Sequence, residues 1–231
     1  MSVFRTVSVA CPACAGEVDF ELVHSVNADR SPNLRDDILK ANFQLQTCPG
    51  CGLEFRMDPE FNYLDLGRSQ WIAALPHAAI AGWAASVAAA RENFDESWGR
   101  GASEGARGLG STLQARVTFG WAALREKLVI RDAGLDDVTV ELAKMALIRD
   151  ARTPPLMSAE LRLLAIEGEE LLFGWLDTGD EGVVEFNRVN RALLAELEGD
   201  SEWDELRRQL SAELFVDVKR LFMAPAAAAP A

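Results

Sequence analysis

The chain has 231 residues, 49% of them hydrophobic and 26% charged, the proportions of a globular protein with room for one large core or two small ones. Its 23 basic residues face 36 acidic ones, a formal net charge of −13, and from residue 154 onward seven basic residues stand against sixteen acidic. No third of the chain is net basic. That excludes the cationic surface needed for nucleic acid or an anionic membrane, and it favours a basic protein partner.

In chain order, Phe4–Val9 alternates as a strand and runs into Cys11-Pro12-Ala13-Cys14. The apolar run before Cys11 is too short for a signal peptide, so a cytoplasmic protein is expected. Val18, Phe20 and Leu22 alternate with Glu17, Asp19 and Glu21 as a second strand, which His24 ends. Ser31-Pro32 opens a short helix over Asn33–Lys40. Phe43, Leu45 and Thr47 form a strand entering Cys48-Pro49-Gly50-Cys51-Gly52, and Leu53–Met57 leaves it as another. A further extended stretch is expected between Phe61 and Leu75. The most apolar window, Trp71–Ala90, is built mainly from alanine and contains Pro76 and His77, so it predicts a buried helix rather than a membrane span.

The middle third is predicted helical. Ile80, Trp83, Val87, Phe94 and Trp98 share one helical face, and the glycine-rich run Gly99–Gly110 breaks it. Leu113, Val117, Trp121, Leu124 and Leu128 predict a second helix, and Leu135, Val138, Leu142, Met145 and Ile148 a third. Thr153-Pro154-Pro155 marks a boundary. Beyond it, Leu161–Glu167, Leu171–Leu176 and Val183–Phe186 carry hairpin signals. Val189, Leu193 and Leu197 predict a helix. A capping box at Ser201 and Asp204 opens another, with Trp203, Leu206, Leu210, Leu214, Val218 and Leu221 as its stripe. The alanine-rich tail 224–231 is expected to be disordered. The fold class is therefore α+β. A β-rich, zinc-ribbon-like module over 1–75 precedes a helical region over 76–153 and a C-terminal hairpin with helices over 154–223.

The strong chemical signal is the pair of Cys-x-x-Cys motifs, Cys11, Cys14, Cys48 and Cys51, which account for every cysteine. Two such turns place four soft thiolates at tetrahedral corners, and strands enter and leave both turns as in a zinc ribbon. Pro12 and Pro49 stiffen the turns. Gly52 supplies a positive φ, with its amide free to face a sulfur. The 33 residues between the pairs exceed the usual spacing, which the inserted helix explains. Structural zinc is favoured over a redox dithiol, which needs one reactive pair at a helix start, and over rubredoxin-like iron with the same ligands. Four protein ligands leave no position for water, so the metal is not catalytic.

Other signals have plainer explanations. In the charged stretch from Arg125 to Lys144, Asp137 and Glu141 share a helical face and suit acid–base work. Helix capping by Asp136 and Asp137, and surface pairing of Glu141 with Lys144, account for the same pattern. His24 and His77 are far apart with no nucleophile between them. Gly101-Ala102-Ser103-Glu104-Gly105 has the form of a nucleophile elbow but precedes no histidine, and is expected to be a flexible connector.

The chain resembles the CpXC family, a bacterial group named for its two Cys-Pro-x-Cys motifs, here CPAC at 11–14 and CPGCG at 48–52. The intervening SVNADRSPNLRDDILKANFQLQTCPGCG is similar to the family's spacer, and FGWAALREKLVIRDAGLDDVTVELAKMAL to a later family segment. The resemblance covers roughly residues 8–150. It implies metal binding at the four cysteines and no particular activity. The expected function is a zinc-stapled binding or scaffold protein that acts through protein–protein contacts. An enzyme site near Asp132–Lys144 and an iron electron carrier are the alternatives.

Overall fold

The computed structural model describes residues 2–152, 154–156 and 158–223. Thr153 of the expected boundary and the tail 224–231 lie outside the described residues. Hairpin β1 (Val3–Ala10) and β2 (Glu17–Asn27) comes first, followed by α1 (Pro32–Leu39) and a second small hairpin, β3 (Leu45–Thr47) and β4 (Glu54–Arg56). Hairpin β5 (Phe61–Asp65) and β6 (Gln70–Leu75) leads through a 3-10 segment, His77–Gly82, into α2 (Trp83–Trp98) and α3 (Glu104–Gly110). Strand β7 (Gln114–Phe119) precedes α4 (Trp121–Asp132) and α5 (Asp137–Asp150). A meander β8 (Ala159–Glu167), β9 (Glu170–Asp177) and β10 (Val183–Asn190) is followed by α6 (Ala192–Gly199) and α7 (Asp204–Ser211). The mixture of helix and strand is the α+β class expected.

The chain divides into two compact units. The first is the chain up to Ala81 with Ala89–Trp121; the second is Gly82–Ala88 with the chain from Ala122 onward. The first unit holds a five-stranded sheet in the order β1-β2-β5-β6-β7 and the separate β3-β4 hairpin. Strand β2 joins β5 in parallel through only Ser25–Asn27, and β6 joins β7 in parallel from Gln70 to Leu75. Its core gathers Val18, Phe20, Val23, Tyr63, Trp71, Ile72, Val117 and Phe119.

Three expectations change here. The predicted helix over Leu113–Leu128 begins as a strand. Val117, Thr118 and Phe119 are all buried, so β7 shows no alternation, and its period-four stripe with Trp121 and Leu124 is coincidental. Gly120, at φ +83°, turns the chain between the two elements. The window Trp71–Ala90 is a strand, a 3-10 turn and the start of α2 rather than one helix. No described helix is long and apolar enough to cross a membrane. Finally, the C-terminal helix stops at Ser211 and carries no capping box. Asp200 instead accepts from the Glu202 amide, and Val218 lies in a separate 3-10 turn.

The second unit packs α5, α6 and α7 with the three-stranded sheet around Leu142, Leu163, Leu171, Phe173 and Trp175. Among the described residues, seven charged side chains lie buried in it: Glu126, Asp137, Glu141, Asp217, Lys127, Lys144 and Arg162. Lys144 Nζ reaches Glu126 at 3.0 Å and Glu141 at 2.8 Å. Arg162 Nη1 donates to Glu126 at 3.0 Å and to Asp217 at 2.5 Å. Removing one member of such a network strands a charge in a dry interior. Lys144→Ala, which leaves Glu126 and Glu141 short of a cation, is therefore expected to cost about 3–5 kcal/mol in urea unfolding.

Candidate metal centre

Each cysteine pair sits on a β-hairpin turn, and the two turns have the same backbone. The Cys11 amide donates to Gly16 O at 2.8 Å and the Ala15 amide to Cys11 O at 2.9 Å. The Cys48 amide donates to Leu53 O at 2.8 Å and the Gly52 amide to Cys48 O at 2.9 Å. The fourth residue after each leading cysteine takes a positive φ: Ala15 at 56° and Gly52 at 75°. Gly52 was expected from the sequence at this place. The need at Ala15 was hidden because alanine ordinarily avoids that conformation. The Gly52 amide donates to the Cys48 carbonyl. It is the Leu53 amide that reaches the Cys51 sulfur, while those of Cys14 and Ala13 reach Cys11.

The four sulfurs lie within 4.8 Å of one another. Cys11 and Cys51 are 3.7 Å apart across the two turns, and so are Cys14 and Cys48. A tetrahedron with metal–sulfur bonds of about 2.3 Å has edges of about 3.8 Å, so the spacing fits one ion. It does not fit a disulfide, whose sulfurs are about 2.05 Å apart, and all four cysteines are free. Cys11 and Cys48 are buried with Val18, Val9 and Phe55 around them, while Cys14 and Cys51 face solvent.

The electrostatics also suit a cation. The amides of Cys14 and Ala13 pull the Cys11 thiol down to about 6. At Cys51 the Leu53 amide lowers the pKa, but hydrogen bonding with the Cys14, Cys11 and Cys48 sulfurs, together with desolvation, raises it to about 12. A thiolate therefore forms more readily at Cys11 and less readily at Cys51. A divalent ion favours the thiolate at both.

Side chains the sequence left unmarked place the second turn against the first. Strand β2 pairs with β1 on one edge, and among the described residues no strand lies beside residues 19–23 on its other edge. The Gln44 side chain fills that place: Oε1 accepts from the Val23 amide at 3.1 Å and Nε2 donates to Glu21 O at 2.8 Å. Gln46 Nε2 reaches Asp19 O at 3.4 Å. At the far end of the β3-β4 hairpin, Trp121 Nε1 donates to Met57 O at 2.9 Å, and the Arg56 guanidinium lies 5.1 Å over the Trp121 ring. A glutamine standing in for a strand leaves no pattern in the sequence.

The other predicted residues are scattered or occupied. His24 is exposed, and His77 lies beside Gly120. Ser103 caps α3, its hydroxyl accepting from the Ala106 amide at 3.4 Å, so the glycine-rich run holds a helix rather than a flexible connector or nucleophile elbow. In the charged stretch, Asp136 caps α5 as expected, accepting from the Thr139 amide at 2.9 Å. Glu141 does pair with Lys144, in the core rather than on the surface. Burial raises the Glu141 carboxyl to about 7 against the pull of Lys144 and Lys127. Asp132 is exposed.

The chain matches the family described as CpXC protein over residues 9–144, more than half its length. It belongs to the CpXC family. Both Cys-Pro-x-Cys turns of this CpXC protein, the Gln44 clamp and most of α5 fall within the matched span. Comparison with curated proteins and with solved structures finds no match.

Three outcomes follow. Ala15→Gly is expected to stabilise the protein by about 1 kcal/mol and Gly52→Ala to cost about as much, since nothing crowds Gly52 and only its backbone is at issue. Both are measured by thermal unfolding. Gln44→Ala should weaken metal binding about 10–100-fold, the usual effect of losing an outer support, in competition with a chromophoric chelator. A folded pKa of Glu141 raised from 4.5 to about 7 means that the folded state holds that proton more tightly. Its contribution is complete below pH 4.5 and is lost as pH rises through about 7. Glu141→Gln should remove a stability difference on the order of 3 kcal/mol between those limits in urea titrations.

Proposed function

We propose that this CpXC protein is a zinc-stapled binding or scaffold protein of the cytoplasm that acts through protein–protein contacts and has no catalytic metal. The observation that carries the reading is the closed set of four sulfurs within 4.8 Å. With Cys11, Cys14, Cys48 and Cys51 as ligands, a tetrahedral ion has no position left for water or substrate. The ion would supply a cross-link between two cysteine pairs 33 residues apart, and no acid–base or redox step. Zinc is favoured over iron because a cross-link needs no change of oxidation state.

Two further features support binding over catalysis. The buried carboxylates Glu126, Glu141 and Asp217 already accept from lysine, arginine or backbone amides, which suits a structural role. Val184 and Phe186 on β10 are exposed, and the acidic charge of the last third suits a basic partner surface.

Metal analysis of the native protein, purified by a tag from its host, tests the metal. One colourless zinc per chain is expected, and a red iron-loaded sample would overturn that part. Cys48→Ser should abolish stoichiometric metal and lower the melting temperature of the first unit, because structural zinc contributes ~10 kcal/mol or more of apparent binding energy. Identification of the proteins that co-purify tests the contacts. A specific turnover lost in Glu141→Gln without loss of folding would replace binding with catalysis.

A further inference from the structure

The four sulfurs do not share one environment. Cys11 and Cys48 are each 2% exposed, whereas Cys14 and Cys51 face solvent. The two contacts at 3.7 Å each join a buried cysteine to an exposed one, and each crosses from one turn to the other: Cys14 with Cys48, and Cys51 with Cys11. Cys14 also has two glycines beside its sulfur. An added Cβ would stand 3.4 Å from it at Gly16 and 3.8 Å from it at Gly50, both ordinary contact distances. Neither glycine takes a positive φ. Neither backbone conformation nor crowding calls for glycine at these two places, and what both leave uncovered is the Cys14 sulfur.

A staple alone needs no such access. An exposed sulfur with a second one in reach is the arrangement that peroxide turns into a disulfide, because oxidation follows exposure and a resolving thiol stops it at a reversible stage. The turns have other reasons to stay together through that change. Gln44 joins the second hairpin to Val23 and Glu21 of β2, and the rings of Phe20 and Phe55 lie 6.4 Å apart. None of these contacts involves a sulfur.

We propose that the four-cysteine cluster is a peroxide-sensitive switch, in which Cys14 is oxidised and Cys48 closes a disulfide onto it, so that a covalent bond replaces a shared ion between the two turns. The Cys14 sulfur attacks one oxygen of hydrogen peroxide. The O–O bond breaks, and hydroxide leaves as water with the thiol proton. Cys14 is then a sulfenic acid, oxidised by two electrons, and the peroxide is reduced. The Cys48 sulfur, 3.7 Å away, next attacks the Cys14 sulfur. The S–O bond breaks, and a second water carries off the oxygen with the Cys48 proton. Two thiols and one peroxide thus give one disulfide and two waters. Cys11 and Cys51 are then the only thiolates left, too few for a structural zinc, which takes four ligands. The proposal rests on the zinc reading above, and the redox change belongs to the sulfurs rather than the ion.

The test adds hydrogen peroxide to the full-length protein loaded with one zinc per chain. A chromophoric chelator reads zinc release, and alkylation followed by peptide mass mapping reads the disulfides. One peroxide per chain is expected to release the zinc with a Cys14–Cys48 bond formed, and a dithiol reductant to restore binding. Gly50→Ala sets a methyl group against the Cys14 sulfur without removing a ligand. It should slow release roughly threefold or more, with zinc affinity unchanged. If Gly50→Ala does not fold, Gly16→Ala takes its place with the same outcomes. Release at the unaltered rate in the folded variant would overturn Cys14 as the point of attack. A disulfide within either Cys-x-x-Cys pair, sulfinic acid at Cys14 without a disulfide, or zinc retained in excess peroxide would overturn the switch. A protein that takes up no zinc would sink the metal reading instead. The same map on that metal-free protein would then support the Cys14–Cys48 pairing if the bond forms and overturn it if it does not.

Discussion

Four sulfurs within 4.8 Å of one another can all be thiolates only around a cation, and the first unit is built so that a metal ion could sit among them. The sulfurs arrive on two hairpin turns of matching backbone, one between β1 and β2 and one between β3 and β4. Each turn presents a buried and an exposed cysteine, so the cluster has one side in the apolar contact of Val18 and one in solvent. The 33 intervening residues then have to bring the second turn back to the first. They do so through α1, the glutamine contacts on the open edge of β2, and the aromatic group of Phe43, Phe61 and Trp121.

This placement draws on elements far along the chain. Trp121 follows Cys51 by 70 residues, yet its indole holds Met57 and its ring meets Phe43 at 5.9 Å. The parallel pairing of β6 with β7 delivers it there, because β7 ends one residue before Gly120 turns the chain. A candidate metal centre whose four ligands all lie within residues 11–51 therefore depends on the sheet that continues to residue 119.

The second unit meets charge in the opposite way. Where the first brings four sulfurs to one point, the second, among the described residues, buries four acids with three bases and supplies the counter-ions from its own side chains. The solution is costly in desolvation and selective in geometry. Nearly every acceptor in it is assigned to a particular donor, down to the Leu163 amide at 2.7 Å from Glu126 Oε1. The last helix ends early for the same reason: a continued helix could not offer the Val216 carbonyl, the Asp217 carboxylate and the Val218 amide to three different partners.

Spacing alone showed the four cysteines, the strands around them, α1, α5 and the C-terminal meander, because ligand spacing and hydrophobic period are local properties. They were legible without any knowledge of contacts. What the sequence could not show depends on partners distant along the chain. Strand β7 passed for a helix because burial on both faces erased its alternation. Ala15 gave no sign of a left-handed turn, since only its likeness to Gly52 in space reveals one. Glu141 and Lys144 looked like a surface pair because helical spacing says which side chains meet and nothing about what covers them. The sequence by itself determined which atoms could hold a metal. The tertiary structure decided that they meet, since four sulfurs from two distant turns come within reach only when glutamines, an indole and a paired sheet put them there.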